Sequence, residues 1–199
     1  MKDTILEQGP GYTIAIVEEA HGTVPYGQVI RDDGTNYGWV DLRDQPGLVD
    51  TIPEIQGIPG MQAILRVANT QQSPFMTIGC EKGSFPVKGR RPITRMVGGY
   101  IDLVFRIGGY NSTGQLAEVA KQIRNKVKPP ENAVVGYEFL IQPLKNFFGQ
   151  DGRYALMLKP QGYGENETTA WQAFEEACMH LANALQRCIE EFHPAEGVD

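Results

Sequence analysis

Seven apolar residues late in the chain, Trp171, Phe174, Cys178, Leu181, Leu185, Cys188 and Phe192, recur in alternating steps of three and four. That spacing winds onto one face of an α-helix over about 168–192 and cannot lie on one face of a strand. Alanines at 170, 173, 177, 182 and 184 widen the stripe and permit a neighbouring element to approach closely. Thr169 and Gln172 form a T-x-x-Q capping box, which satisfies free N–H groups where a helix begins. A face this wide has to be covered. The stripe is therefore read as core packed on a sheet, with a subunit interface as the alternative.

The sheet is legible in the residues before it. "ITRMVGGYIDLVFRI" (93–107) places Ile93, Val97, Ile101, Leu103, Phe105 and Ile107 on one parity, with Thr94, Asp102 and Arg106 on the other. Gly98-Gly99 marks a bend or bulge within it. "YTIAIVEE" (12–19), "YGQVIRD" (26–32) and "YGWVDLR" (37–43) are short, aromatic and β-branched, so they read as strands, with "DDGTN" (32–36) as a hairpin loop. "FMTIGC" (75–80) reads as a strand, and "MQAILRVAN" (61–69) as a strand or a helix. "VVGYEFLIQ" (134–142) and "RYALMLK" (153–159) resemble an antiparallel pair. A second helix is expected over 113–127, stopped by Pro129-Pro130. The Pro- and Gly-rich stretch 44–60 reads as a surface connection. These elements predict a single α+β domain over 1–199, a mainly antiparallel sheet covered by the two late helices.

Composition narrows the chemistry. Apolar content of 41% and charged content of 21% belong to a globular chain. No apolar run reaches the roughly 18 residues needed to span a bilayer, and "MKDTILEQGPG" is no signal peptide, so a cytoplasmic protein without membrane contact is expected. Cys178 and Cys188 lie ten residues apart on one helix, too far to pair, and with Cys80 they read as buried thiols. "GGYNSTG" (108–114) has the glycine spacing of a P-loop, but Gln115 and Leu116 stand where lysine and a hydroxyl are required. Ser112 and Gln115 instead form an S-x-x-Q capping box.

Catalytic patterns are scarce. The chain holds three serines and three histidines, with no G-x-S-x-G, H-E-x-x-H or C-x-x-C. Glu190-x-x-His193 is half of a di-iron pattern, and Glu176 with His180 is a simple helical pair. No catalytic residue, cofactor or metal is assigned.

Charge is the functional lead. Residues 82–128 hold ten bases and two acids, a net +8, whereas the remainder holds eight bases and twenty-two acids, a net −14. Lys88, Arg90, Arg91 and Arg95 cluster in a Gly- and Pro-rich loop, the candidate binding segment. Lys121, Arg124 and Lys128 form a secondary basic face on the helix 113–127. The leading expectation is a non-enzymatic, self-associating binding or assembly protein, such as a unit of a viral or tail-like particle, whose basic segment meets an acidic surface on another copy. One alternative is a small enzyme or ligand-binding protein with its pocket between sheet and closing helix, served by Tyr100, Tyr137 and Tyr154. The other is an acidic nucleic-acid accessory protein acting through residues 88–95.

Overall fold

The strongest alternation in the sequence becomes a central strand. In the computed structural model, which describes residues 3–31, 34–89, 92–131 and 133–192, β7 (Arg95–Phe105) buries Val97, Ile101, Leu103 and Phe105 towards the main core. It pairs antiparallel with β6 (Phe75–Pro86) on one side and with β9 (Tyr154–Gly164) on the other. β9 pairs antiparallel with β8 (Val134–Phe147). The far edge of β8 takes two short strands in parallel, β2 (Tyr12–Ile16) and β3 (His21–Val24). β1 (Thr4–Gly9) closes antiparallel on β2, giving the order β1-β2-β8-β9-β7-β6. This mixed, mostly antiparallel sheet and three helices make an α+β fold.

Several elements differ from the sequence pattern. β1 and β3 are strands the pattern does not mark, and 37–43 forms no strand. Only Val29–Arg31 (β4) and Gly34–Asn36 (β5) pair in that region, as a separate two-stranded ribbon. Two of the apolar side chains of 37–43 are used for packing instead: Leu42 is buried and Trp39 meets Phe148 edge-on at 5.4 Å, while Tyr37 and Val40 stay exposed. Bulges lie in β1, between Ile5 and Glu7, and in β6, between Thr77 and Gly79, rather than at Gly98-Gly99.

The 44–60 stretch is not a purely surface connection. Two 3-10 turns, Pro46–Thr51 and Pro53–Ile55, turn Val49, Ile52, Ile55 and Ile58 into the main core. It leads into α1 (Pro59–Ala68), so 61–69 is resolved as helix and the helices number three among the described residues. Ile58 offers α1 no capping side chain. The Glu175 carboxylate from another helix accepts the Gly60 N–H at 2.7 Å, placing an acidic group at a helix N-terminus. Burial pushes the Glu175 carboxyl up, against the pull of that hydrogen bond.

Helix α2 (Thr113–Lys126) starts at Ser112, whose hydroxyl oxygen accepts the Gln115 N–H. Asn111 anchors the preceding loop: its buried amide exchanges hydrogen bonds with the Phe105 backbone at 2.7 and 3.0 Å. Helix α3 (Glu167–Glu190) carries the long stripe. Its capping box is Asn166 with Thr169, three residues upstream of the expected pair.

Phe174, Cys178, Leu181, Leu185 and Cys188 are buried within the chain, while Trp171 and Phe192 pack partly buried at the ends of the stripe. The sheet admits the helix by omitting side chains. A Cβ on Gly162 would sit 2.6 Å from the Ala170 carbonyl oxygen, and one on Gly99 would sit 3.1 Å from Phe174 Cζ.

A second, smaller cluster lies apart from the helices, with Val24, Met76, Ile78, Val104, Leu144, Phe147 and Ala155 packed together beside Trp39. It corrects the expectation for Asp102, whose polar parity suggested solvent: Asp102 is fully buried. Gln142 Nε2 donates to Asp102 Oδ1 at 2.9 Å, and burial pushes the carboxyl well above its usual range.

Candidate functional site

The small cluster covers only part of the face that α1, α2 and α3 leave free. Beyond it, two rows of residues run across four strands in register, with two opposed pairs beside them, because residues directly opposite one another project from the same face. One row is Gly83, Gly98, Gln161 and Gly136. A second, apolar and aromatic, is Phe85, Met96, Tyr163 and Val134. On the opposite flank Glu81 faces Tyr100, and Glu138 faces Lys159. The glycine row therefore forms the floor of a trough with one apolar wall and one polar wall.

Gln161 divides the trough. Its Oε1 accepts the Tyr163 hydroxyl at 2.6 Å, and a Cβ on Gly136 would lie 3.1 Å from that oxygen. On one side is a cavity of about 360 Å³ bounded by Phe85, Met96, Gly98, Tyr100 and Lys159. The other side holds a cavity of about 380 Å³ reaching Thr13, Gly136 and Glu138. Both volumes fall in the range of ligand-sized clefts. Phe85 folds over Gly83, within 2.7 Å of where a Cβ would stand, and remains half exposed. Val134 is 54% exposed at the other end of its row.

Lys159 and Glu138 neutralise one another at 2.6 Å. Burial raises the Tyr100 hydroxyl, with Asp102 and Glu81 adding to the shift, so it stays protonated and able to donate. Among the described residues no three of His, Cys, Asp and Glu gather as a metal site requires.

The chain matches no protein-family model, no curated protein and no solved structure.

The basic segment belongs to the same region, because the β6–β7 loop springs from the Phe85–Met96 end of the trough. Lys88 is exposed there, and Arg95 is half-buried at the start of β7, opposite Gly164. Neither makes an ion pair among the described residues; Arg90 and Arg91 lie outside those residues. The secondary basic face is largely neutralised within the chain. Lys121 pairs with Glu118 at 2.7 Å. Arg124 pairs with Glu7 and stacks over Tyr12 at 4.7 Å. Lys128 remains exposed, beside a depression lined by His180 and Arg187.

Between the sheet and the closing helix, where the alternative places a pocket, α3 meets the sheet at backbone distance over Gly162 and its stripe is buried in the main core. The three tyrosines do not converge: Tyr137 and Tyr154 pack towards the helices, whereas Tyr100 lines the trough. Glu176 is exposed, and His193 lies outside the described residues. Among the described residues no helix is long and apolar enough to cross a membrane. Sequence reasoning missed the trough because its rows come from β6, β7, β9 and β8, whose registers are set only by folding. The glycines at 83, 98 and 136 were visible, but not their alignment.

Proposed function

We propose that the chain is a non-enzymatic, self-associating binding protein, in which the β6–β7 loop of one copy docks on carboxylates of the next. The observation that supports this reading is where positive charge is left over. Within the basic stretch 82–128, Arg106, Lys121, Arg124 and Lys126 each hold a carboxylate of the same chain. Lys82, Lys88 and Arg95, on the β6–β7 hairpin and its loop, hold none among the described residues. Such unneutralised charge, set against a net −14 in the rest of the chain, favours contact with an acidic surface. A head-to-tail contact of this kind builds rings or stacks, the logic of repeating particles.

Light scattering against salt tests the reading. Mass should fall as the Debye length shortens from about 10 Å at 0.1 M to about 3 Å at 1 M. The triple substitution Lys88→Glu, Arg90→Glu, Arg91→Glu should reproduce the high-salt mass while leaving stability within about 0.5 kcal/mol. A mass insensitive to both changes overturns the proposal. Loss of a nucleic-acid gel shift, with mass unchanged, favours the nucleic-acid reading instead.

A further inference from the structure

We infer that a small cleft beside β6 binds the methylated ammonium head of a choline-like ligand, independently of the self-association just proposed. The cleft lies where residues 26–40, the Pro53–Ile55 turn and β6 meet, and Tyr26, Tyr37, Trp39, Glu54 and Cys80 line it. Backbone contacts hold the aromatic residues together. The Trp39 N–H donates to the Tyr26 carbonyl oxygen at 2.9 Å. Between Tyr37 and Trp39, Gly38 has a φ of 89°, and a Cβ there would lie 3.0 Å from the Gln28 nitrogen. Glycine is what lets the two segments close up in this way.

Charge says what the cleft takes. Glu54 is half-buried and makes no hydrogen bond or ion pair among the described residues. Lys82, whose charge is felt at Cys80, donates instead to the Gln56 carbonyl oxygen at 3.4 Å. Burial pushes the Tyr26 hydroxyl up to about 12, and Cys80, Asp102 and Glu54 push in the same direction, so further negative charge is disfavoured there. An unpaired carboxylate beside three aromatic side chains attracts a cation, and aromatic faces suit a cation clad in methyl groups. Among the described residues lining the cleft Glu54 is the only carboxylate, whereas a calcium or magnesium ion takes about six oxygens or more. With a volume of about 50 Å³ the cleft admits a head group rather than a whole ligand of the usual size.

Calorimetric titration with choline chloride tests the inference, with sodium chloride as the control for salt. Saturable binding is expected. It should weaken by about tenfold or more for the neutral analogue in which a tert-butyl group replaces the trimethylammonium. Glu54→Gln and Tyr37→Ala should each weaken choline binding by about tenfold. Both should leave the melting temperature unchanged, because Glu54 has no partner and Tyr37 is half exposed. In Trp171→Phe, whose one remaining tryptophan is Trp39, choline should shift the emission.

Free choline and phosphatidylcholine vesicles offer the same head. Heat with free choline assigns a soluble ligand, and co-sedimentation with the vesicles without such heat assigns a lipid. Binding to neither overturns the inference, as does equal binding of choline and its neutral analogue. So does choline binding that survives both substitutions and leaves the Trp39 emission unmoved. A trimethyllysine peptide bound about tenfold more tightly than choline would make the occupant a protein side chain, and overturns it too.

Discussion

On the helix-covered face of the sheet, Gly162 and Gly99 are points where another element presses against the strand backbone. On the open face, Gly98 has no atom nearer than 3.7 Å to where its Cβ would be, and Gly136 is approached by the Gln161 and Tyr163 side chains. One residue type thus serves two ends. Beneath α3 the missing side chain lets two backbones close together and the core become dense. Across the trough it lowers the floor between two walls and leaves room for something outside the chain. Stability should depend on the first set and binding on the second.

The severest test of that contrast is Phe174→Ala. Phe174 is fully buried where α3 crosses the sheet, and its loss should cost about 3–5 kcal/mol through lost transfer energy and the cavity left behind. Urea denaturation measures it; a loss below about 1 kcal/mol would show that the helix does not hold the sheet as described. Comparing glycines on the two faces sharpens the contrast. Gly162→Ala drives a methyl group to 2.6 Å from the Ala170 carbonyl oxygen and should cost about 1–3 kcal/mol. Gly98→Ala meets only ordinary contacts and should stabilise by about 0.5–1 kcal/mol, as alanine does over glycine inside a strand. Equal losses at both positions would erase the distinction between the faces.

The smallest effect concerns the covered part of the other face. The Asp102 carboxyl is raised in the folded protein, so the native state holds its proton more tightly than the unfolded chain does. The stabilisation is therefore complete below the unfolded value of about 3.9 and disappears as pH rises through the folded one. Asp102→Asn should gain on the unsubstituted protein as pH rises, with their melting temperatures converging in acid. A difference that does not vary with pH would mean that Asp102 is solvated after all.

Sequence pattern carried α3 and β7 because each has one long face against the main core, where periodicity and burial coincide. It failed where cover came from far away. Asp102 sits on the polar parity of β7, and only the packing of Trp39 with Met76, Val104 and Leu144 shows that this stretch is enclosed as well. The aromatic content of 37–43 imitates a strand because β propensity reflects packing as much as backbone preference. The two basic regions looked alike in sequence. They separate only in three dimensions, since Glu7 and Glu191, which neutralise Arg124 and Lys126, are remote along the chain. α1 was ambiguous because ten residues beginning Pro-Gly give few turns of helical pattern to read.

The two parallel pairings on β8 also impose an order in time. Tyr12 finds its partner at Tyr137 and His21 at Leu144, so β2 and β3 cannot join β8 until most of the chain has left the ribosome, although β1 and β2 can pair with each other at once. Hairpins such as β6–β7 and β8–β9 can form from neighbouring residues, whereas contacts of such long sequence separation must first bear the entropy of closing a large loop. The β2 and β3 pairings on β8 should thus be among the last to become protected from hydrogen exchange, and for that interval the β8 edge stands open as a template for a stray strand.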